Sequence, residues 1–244
     1  MRKYATIIIG LLVASCSNKS EQNSTNETPK KQLGFTDITS DRFNGNIEST
    51  TSTFYHINLS ENGEINIIDS VNGKHTSRYN TNGYVSQSRR YTFTGDTFSK
   101  INFKMTDGVP TMSINYQNDG VQDTATISHP SSLTSVSTSN TIYPGGSFYK
   151  SENTSAYNQD GSYKEQIIKN FYTDKSKGYT TTRTTYEYSG DTTTITTNVE
   201  LTGEINKTLI IFKDKDAHGN PKKCIHYNPQ NKSYVLQVIE YKYY

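Results

Sequence analysis

Residues 212–244 read Phe212-Lys213-Asp214-Lys215-Asp216-Ala217-His218-Gly219-Asn220-Pro221, continue Lys222-Lys223-Cys224-Ile225-His226-Tyr227, and end Val238-Ile239-Glu240-Tyr241-Lys242-Tyr243-Tyr244. Aromatic and β-branched residues, which suit a pleated and half-buried surface, flank a cluster of Asp, Gly, Asn and Pro. Asp and Asn close turns through their own side chains, and Gly takes the positive φ that tight turns require. The stretch therefore predicts a strand, a turn, a second strand, and a further strand ending at the C-terminus. Looser copies of this unit recur upstream.

Turn signals come at near-regular intervals through the chain. Asn62-Gly63, Asn72-Gly73, Asn82-Gly83, Gly95-Asp96, Asp107-Gly108 and Asp119-Gly120 lie 10 to 13 residues apart. Gly145-Gly146, Asp160-Gly161, Lys177-Gly178, Gly190-Asp191, Thr202-Gly203 and Asn228-Pro229 continue the series. Between them, Ile101-Asn102-Phe103-Lys104-Met105 and Met112-Ser113-Ile114-Asn115-Tyr116 alternate apolar and polar residues, the period of a strand with one buried face. Links this short leave no room for crossover helices, so neighbouring strands must be antiparallel. The predicted fold is all-β, an extended antiparallel β-meander of about a dozen strands forming a single curved sheet, a half-barrel or an open barrel. Leu209-Ile210-Ile211-Phe212 is a continuous apolar run and predicts a strand buried on both faces. Ser128 to Asn140, rich in Ser and Thr, predicts a long loop or weak strand. Lys164 to Asn170 fits either a helical turn or, with its Ile pair, the start of a strand.

Composition supports a thin sheet rather than a deep core. Only 31% of the 244 residues are hydrophobic and the mean hydropathy is -0.77. Yet the chain holds 19 Tyr and 9 Phe, more than a disordered chain of this polarity carries. Setting aside Arg2 and Lys3, which fall in a leader, the remaining basic residues equal the 23 acidic ones. A neutral chain lacks the basic surface that nucleic-acid binding needs, so no nucleic-acid partner is expected.

The leader begins with Arg2 and Lys3 and continues with the apolar run Ile7-Ile8-Ile9-Gly10-Leu11-Leu12-Val13. That run is too short for a membrane span, which needs about 20 residues. It ends Val13-Ala14-Ser15-Cys16, which resembles the lipobox of bacterial lipoproteins, with Val13 in the place of the usual Leu. The resemblance implies a signal peptide over 1–15, lipidation at Cys16, and attachment to the membrane through that N-terminal lipid. Ser17 in place of Asp implies, by the same resemblance, the outer membrane, on its periplasmic face or at the cell surface. Residues 16–34 are then the lipidated Cys and a polar, flexible tether. With Cys16 lipidated, Cys224 has no partner for a disulfide and is expected to be a buried small hydrophobe.

Two repeats run through the remaining domain, 35–244. The short one is an aromatic residue or Leu, two residues, Asn or Asp, then Gly: Leu59 to Gly63, Tyr79 to Gly83, Tyr116 to Gly120 and Tyr157 to Gly161. The longer one pairs Tyr91 to Thr97 with Tyr186 to Thr192. Phe212, Asp214, Asp216, Gly219 and Asn220, followed by strands ending in Tyr227 and Tyr241, resemble the YD-repeat (RHS-like) unit of bacterial surface and secreted proteins. The resemblance covers about 30 C-terminal residues. The upstream copies lack the Asn after the Gly, with Tyr84 after Gly83 and Ser162 after Gly161. It implies hairpins that serve as scaffold or shell, and no catalytic residues.

Individual constellations favour structural roles. His218, Cys224 and His226 fall short of the four ligands of a structural zinc site. Asp214, Asp216 and Asn220 lack the spacing of a calcium loop, and turn chemistry accounts for them. Glu187 and Glu200 are not singled out as a carboxylate pair, and no nucleophile, zinc-hydrolase or phosphate-loop motif occurs. No cofactor and no enzymatic activity are therefore expected. The turn positions Gly63, Gly83, Gly120, Gly161, Asp216, Gly219 and Asn220 define the repeat. Tyr84, Tyr91, Tyr186, Tyr188, Tyr241 and Tyr243 recur at strand positions, and Tyr186, Tyr188, Tyr241 and Tyr243 are candidates for a binding face. The function this suggests is a non-enzymatic, envelope-anchored binding or scaffolding module. The alternatives are a carrier of lipid or another hydrophobic ligand in a curved sheet, and a glycan-binding or glycan-cleaving surface protein.

Overall fold

The structure, a computed structural model, describes residues 33–60, 62–92, 94–117, 122–140 and 148–244. The leader, the proposed lipid site Cys16, almost all of the tether and the turn residue Gly120 lie outside the described residues. Fourteen strands follow a short helical turn, α1 (Asp37–Ser40). They are β1 (Ile47–Leu59), β2 (Ile65–Tyr79), β3 (Val85–Tyr91), β4 (Thr97–Thr106), β5 (Val109–Gln117), β6 (Gln122–Ser131) and β7 (Thr134–Ser139), then β8 (Phe148–Tyr157), β9 (Tyr163–Tyr172), β10 (Tyr179–Ser189), β11 (Thr192–Val199), β12 (Glu204–Lys215), β13 (Pro221–Asn228) and β14 (Ser233–Tyr243). Each strand pairs antiparallel with the next, and β14 pairs back on β1, from Ile47 opposite Tyr243 to Ile57 opposite Tyr234. The meander is all-β as the turn rhythm predicts, and it closes into a barrel. Closure leaves no unpaired sheet edge, which neither repeat nor alternation could reveal beforehand.

Two open readings resolve to strand. In Ser128 to Asn140, β6 and β7 pair with each other, from Ala125 opposite Ser139 to Ser131 opposite Thr134. Lys164 to Asn170 lies wholly within β9. Two other readings change. Asn72-Gly73 is not a hairpin turn, because β2 runs straight through it. There Thr53 pairs with Lys74 and Phe54 with Val71, so two residues bulge out of the ladder. Gly73 sits at φ +64, and a Cβ would come within 2.1 Å of the Tyr91 carbonyl oxygen, so the bulge needs glycine. The Leu209–Phe212 run is half-buried rather than buried on both faces, since one side of the barrel wall faces out.

Side-chain alternation divides the wall into two faces. Thr50 and Ser52 of β1, Tyr186 and Tyr188 of β10, and Cys224 and His226 of β13 line one cavity and so mark the inward parity. The opposite parity on β10 and β11 presents Arg183, Thr185, Glu187, Thr192, Thr194, Thr196 and Asn198 to the outside. On the far side, the outward face of β12, β13, β14 and β1 carries an apolar patch. Ile57, Ile225 and Leu236 are buried there by Tyr55, Ile211, Tyr234 and Val238.

Candidate functional site

The links after even-numbered strands all fall at one end of the barrel, and residues 33–46 run across that end as a plug. The Gly34 N–H donates to the Ser132 carbonyl and the Ile38 N–H to the Gly83 carbonyl. The Tyr84 hydroxyl donates to the Phe35 carbonyl at 2.8 Å, and the Val85 N–H donates to the Asp37 carboxylate at 2.6 Å. Asn220 is fully buried. Its side chain accepts from the Asn44 N–H and donates to the Asn44 carbonyl and the Tyr243 hydroxyl. The plug is thus tied to the β2–β3, β6–β7 and β12–β13 links. The Ser40 hydroxyl adds a longer contact to the Gly161 carbonyl in the β8–β9 link.

The sequence of the plug explains its shape. Thr36 caps α1, accepting from the Thr39 N–H while the Thr39 hydroxyl reaches back, a capping box that satisfies backbone groups a four-residue helix would leave bare. Apolar residues on either side of the cap turn into the barrel. Phe35 stacks on Tyr157 with ring centroids 3.6 Å apart and packs with Tyr84. Ile38 packs with Ile47 and Tyr79. Among the described residues, two of the three buried apolar clusters are therefore built around plug residues. Burying side chains of this size contributes roughly 1.5–3 kcal/mol each.

Below the plug lie two cavities that share Tyr163. One, of about 350 Å³, is lined by Asp41, Arg42, Tyr186, Tyr188, Phe212 and His226 among others. The other, of about 330 Å³, is lined by Phe35, Asp37, Phe103, His129 and Gln166 among others. Stacked rings run along the wall between them, with Tyr157 5.2 Å from Tyr163 and Tyr163 5.3 Å from Tyr186. Tyr186 donates to Gln166 at 2.5 Å and Tyr188 to the Tyr163 carbonyl at 2.8 Å.

Electrostatics in this space is dominated by burial. Asp37 is pushed up to about 6 by desolvation, partly countered by the Val85 N–H. Asp41 is pushed up to about 7 by desolvation and by the neighbouring Asp37 charge. Asp41 is surface-accessible and lines the larger cavity. Burial holds His75 and His226 below the usual imidazole value and pushes the Cys224 thiol up to about 12.

The four candidate tyrosines divide between two jobs. Tyr186 and Tyr188 line the larger cavity. Tyr241 and Tyr243 pack against Phe43 and the plug cluster, and Tyr243 also donates to Asp216. Tyr84 anchors the plug, whereas Tyr91 lies at the far end of β3. Gly83, Gly161, Gly219, Asp216 and Asn220 gather at the plugged end, and Gly63 is at the opposite end. His218 stacks on Tyr243 at 4.0 Å, while His226 contacts Gln237 at 2.8 Å, so the two histidines serve different neighbours. Asp214 pairs with Lys223 at 2.7 Å rather than with Asp216. Sequence reasoning missed Phe35, Asp37, Asp41 and Arg42. The one available signal was the Thr36 to Thr39 capping pattern just beyond the polar tether.

No family model matches the chain, and no curated protein matches it. Among solved structures the chain is similar to a porin-like protein from Bacteroides vulgatus ATCC 8482, with a TM-score of 0.48 and 11% identity over 80% of this chain and 98% of that one.

Proposed function

We propose that this chain is a non-enzymatic carrier of the bacterial envelope whose barrel holds a small amphipathic molecule beneath the plug. The observation that carries the reading is a closed wall, stoppered at one end, around a cavity that mixes Ile195, Ile210, Phe212 and Ile239 with tyrosine, serine and threonine. Ligand sites are typically concave and largely apolar with a few oriented polar groups, and this cavity has that character. The lipobox-like Val13 to Cys16 supports an N-terminal lipid anchor, and Ser17 in place of Asp supports the outer membrane. The barrel then sits beside the bilayer rather than in it. A spanning barrel needs an outward apolar band about 25 Å tall, whereas β10 and β11 turn Arg183, Glu187 and a row of threonines outward.

Native mass spectrometry of the full chain tests the carrier reading. A retained amphiphile that is lost when Ile210 and Ile239 are changed to Asp supports it. Mass equal to the bare lipidated chain, with no uptake of added amphiphiles, overturns it. A second reading, a scaffold for another macromolecule, is favoured by one observation: Ile67, Ile68, Leu201 and Ile205 are well exposed, all toward the unplugged end.

A further inference from the structure

We propose that the cavity beneath Arg42 takes a single-chain amphiphile with an anionic head, the head held by the Arg42 guanidinium and the Thr193 hydroxyl, and the chain lying along Ile195, Ile210 and Ile239. This rests on the carrier reading and names its ligand class.

Arg42 is placed by the end of α1. It has φ +59, the left-handed residue of a helix ending in which the Arg42 N–H donates to the Thr39 carbonyl and the Phe43 N–H to the Ile38 carbonyl. That backbone lays the guanidinium over the Tyr188 ring, 4.8 Å from its centroid, and 5.8 Å from that of Phe212. Among the described residues it makes no ion pair and no side-chain hydrogen bond. The acids nearest in charge are already engaged. Asp160 accepts from the Ser162 N–H and hydroxyl, and Asp191 pairs with Lys215 at 2.7 Å. A planar cation with five donors, stacked on aromatic rings and left without a carboxylate, is suited to bidentate capture of a carboxylate or phosphate.

Thr193 is the second, independent observation. It is 4% exposed and lines the same cavity, and its Oγ1 has no hydrogen-bond partner among the described residues. A buried hydroxyl without a partner costs about 1–3 kcal/mol, so an unfilled one facing a cavity points to a group that comes and goes. The ladder puts Thr193 opposite Tyr188 on one side and Ile210 on the other. It therefore lies beside the ring that Arg42 covers and at the head of the apolar wall. Ile195 is two residues further along β11, toward the unplugged end, which sets the direction of the chain.

The other titratable groups facing this space leave the arginine unopposed in mildly acidic solution. Asp41, at about 7, carries its proton at pH 6, and Asp37, at about 6, is half protonated. Burial depresses His75 and His226, which disfavours their charged forms, and the tyrosines are protonated throughout.

The test uses the full chain in a non-ionic amphipol at pH 6 with two fluorescent probes. One is 11-(dansylamino)undecanoic acid, and the other is the same molecule ending in an alcohol. Competition with laurate and with lauryl phosphate then separates a carboxylate head from a phosphate head. Arg42→Gln is expected to weaken the acid probe at least tenfold and the alcohol less than twofold. Thr193→Val is expected to weaken the acid about threefold, and Arg42→Lys to restore part of the loss. Circular dichroism of each variant confirms that the barrel is folded. Equal loss of both probes in Arg42→Gln, or loss of neither, overturns the anionic-head assignment and leaves the carrier reading standing. Failure of both probes to bind the unaltered chain overturns both.

Discussion

The two ends of the barrel use the same turn for different purposes. At the unplugged end, Ser60–Glu64 and Thr92–Asp96 each close with the first N–H donating to the fifth carbonyl and the glycine N–H donating to the first carbonyl. At the plugged end, Asn80–Tyr84, Asn158–Ser162 and Asp216–Asn220 close in the same way. The fourth residue is glycine with φ between +81 and +90 in all five, because only that conformation brings the strand back in register. The difference lies in the fifth residue. Glu64 and Asp96 are exposed, whereas Tyr84 is 6%, Ser162 2% and Asn220 0% exposed. One local turn therefore serves as a plain corner at one end and as a clamp on residues 33–46 at the other. The clamp is made by the turn glycine and the residue after it: the Gly83 and Gly161 carbonyls accept from the plug, and Tyr84 and Asn220 bond to it through their side chains.

Removing the plug's own anchor should break the comparison most severely. Phe35→Ala removes the ring stacked on Tyr157 and is expected to cost about 3–5 kcal/mol, the range for a buried aromatic. Ile68→Ala, at an exposed position of the other end, is expected to stay within about 0.5 kcal/mol. Urea unfolding of the full chain, followed by tyrosine fluorescence, measures both. Comparable costs would mean that the plug does not set barrel stability.

The clamp residues come next. Asn220→Ala strips the partners from Asn44 and is expected to cost about 2–3 kcal/mol, since buried backbone groups lose their hydrogen bonds. Glu64→Ala, the same turn position at the other end, should be near neutral. Glycine replacements sharpen the point further. Gly63→Ala meets nothing within 4 Å and should cost about 1 kcal/mol, from backbone strain alone. Gly161→Ala has the same strain, but its Cβ would come 2.5 Å from the Thr39 hydroxyl and 3.2 Å from the Gly34 carbonyl. It is expected to cost about 1–3 kcal/mol more, the usual penalty for overpacking. Equal melting temperatures for the two variants would contradict the plug contact.

A separate expected effect is a tilt with pH, carried by the two acids of the plug. Asp37 and Asp41 have folded-state values near 6 and 7, above the unfolded value of 3.8. Between those limits the folded state binds more protons than the unfolded one, so stability falls as pH rises from about 4 through 7. Thermal melts from pH 4 to pH 8 should show that decline in the unaltered chain. The Asp37→Asn, Asp41→Asn double variant should show a flatter profile across the same window.

Much of the wall was legible in the sequence because its signals are local. Asp107-Gly108 marks a two-residue hairpin, and both residues sit at positive φ in the structure. The period-2 pattern of Ile101 to Met105 fixes which side chains share a face. Closure was not legible, since the pairing of Ile47 with Tyr243 joins residues far apart in sequence and leaves no local mark. The bulge at Asn72-Gly73 was misread for a related reason. Asn-Gly serves a turn or a bulge equally well, and the neighbouring strands decide between them. The site was least legible. Residues 33–46 follow a polar stretch and span only one helical turn, so Phe35 and Ile38 acquire their meaning from Tyr157, Tyr79 and Ile47, none of them a close neighbour in the chain. Tyr84 and Asn220, each the residue after a turn glycine, are two of the points at which the plug is gripped.

Hydrogen exchange of the full chain tests the plugged barrel most directly. The Gly34, Ile38 and Asn44 amides donate to Ser132, Gly83 and Asn220. They should exchange on the same slow timescale as the ladder amides of β13. Exchange of all three within seconds, as in a free tether, would show that residues 33–46 do not close the barrel.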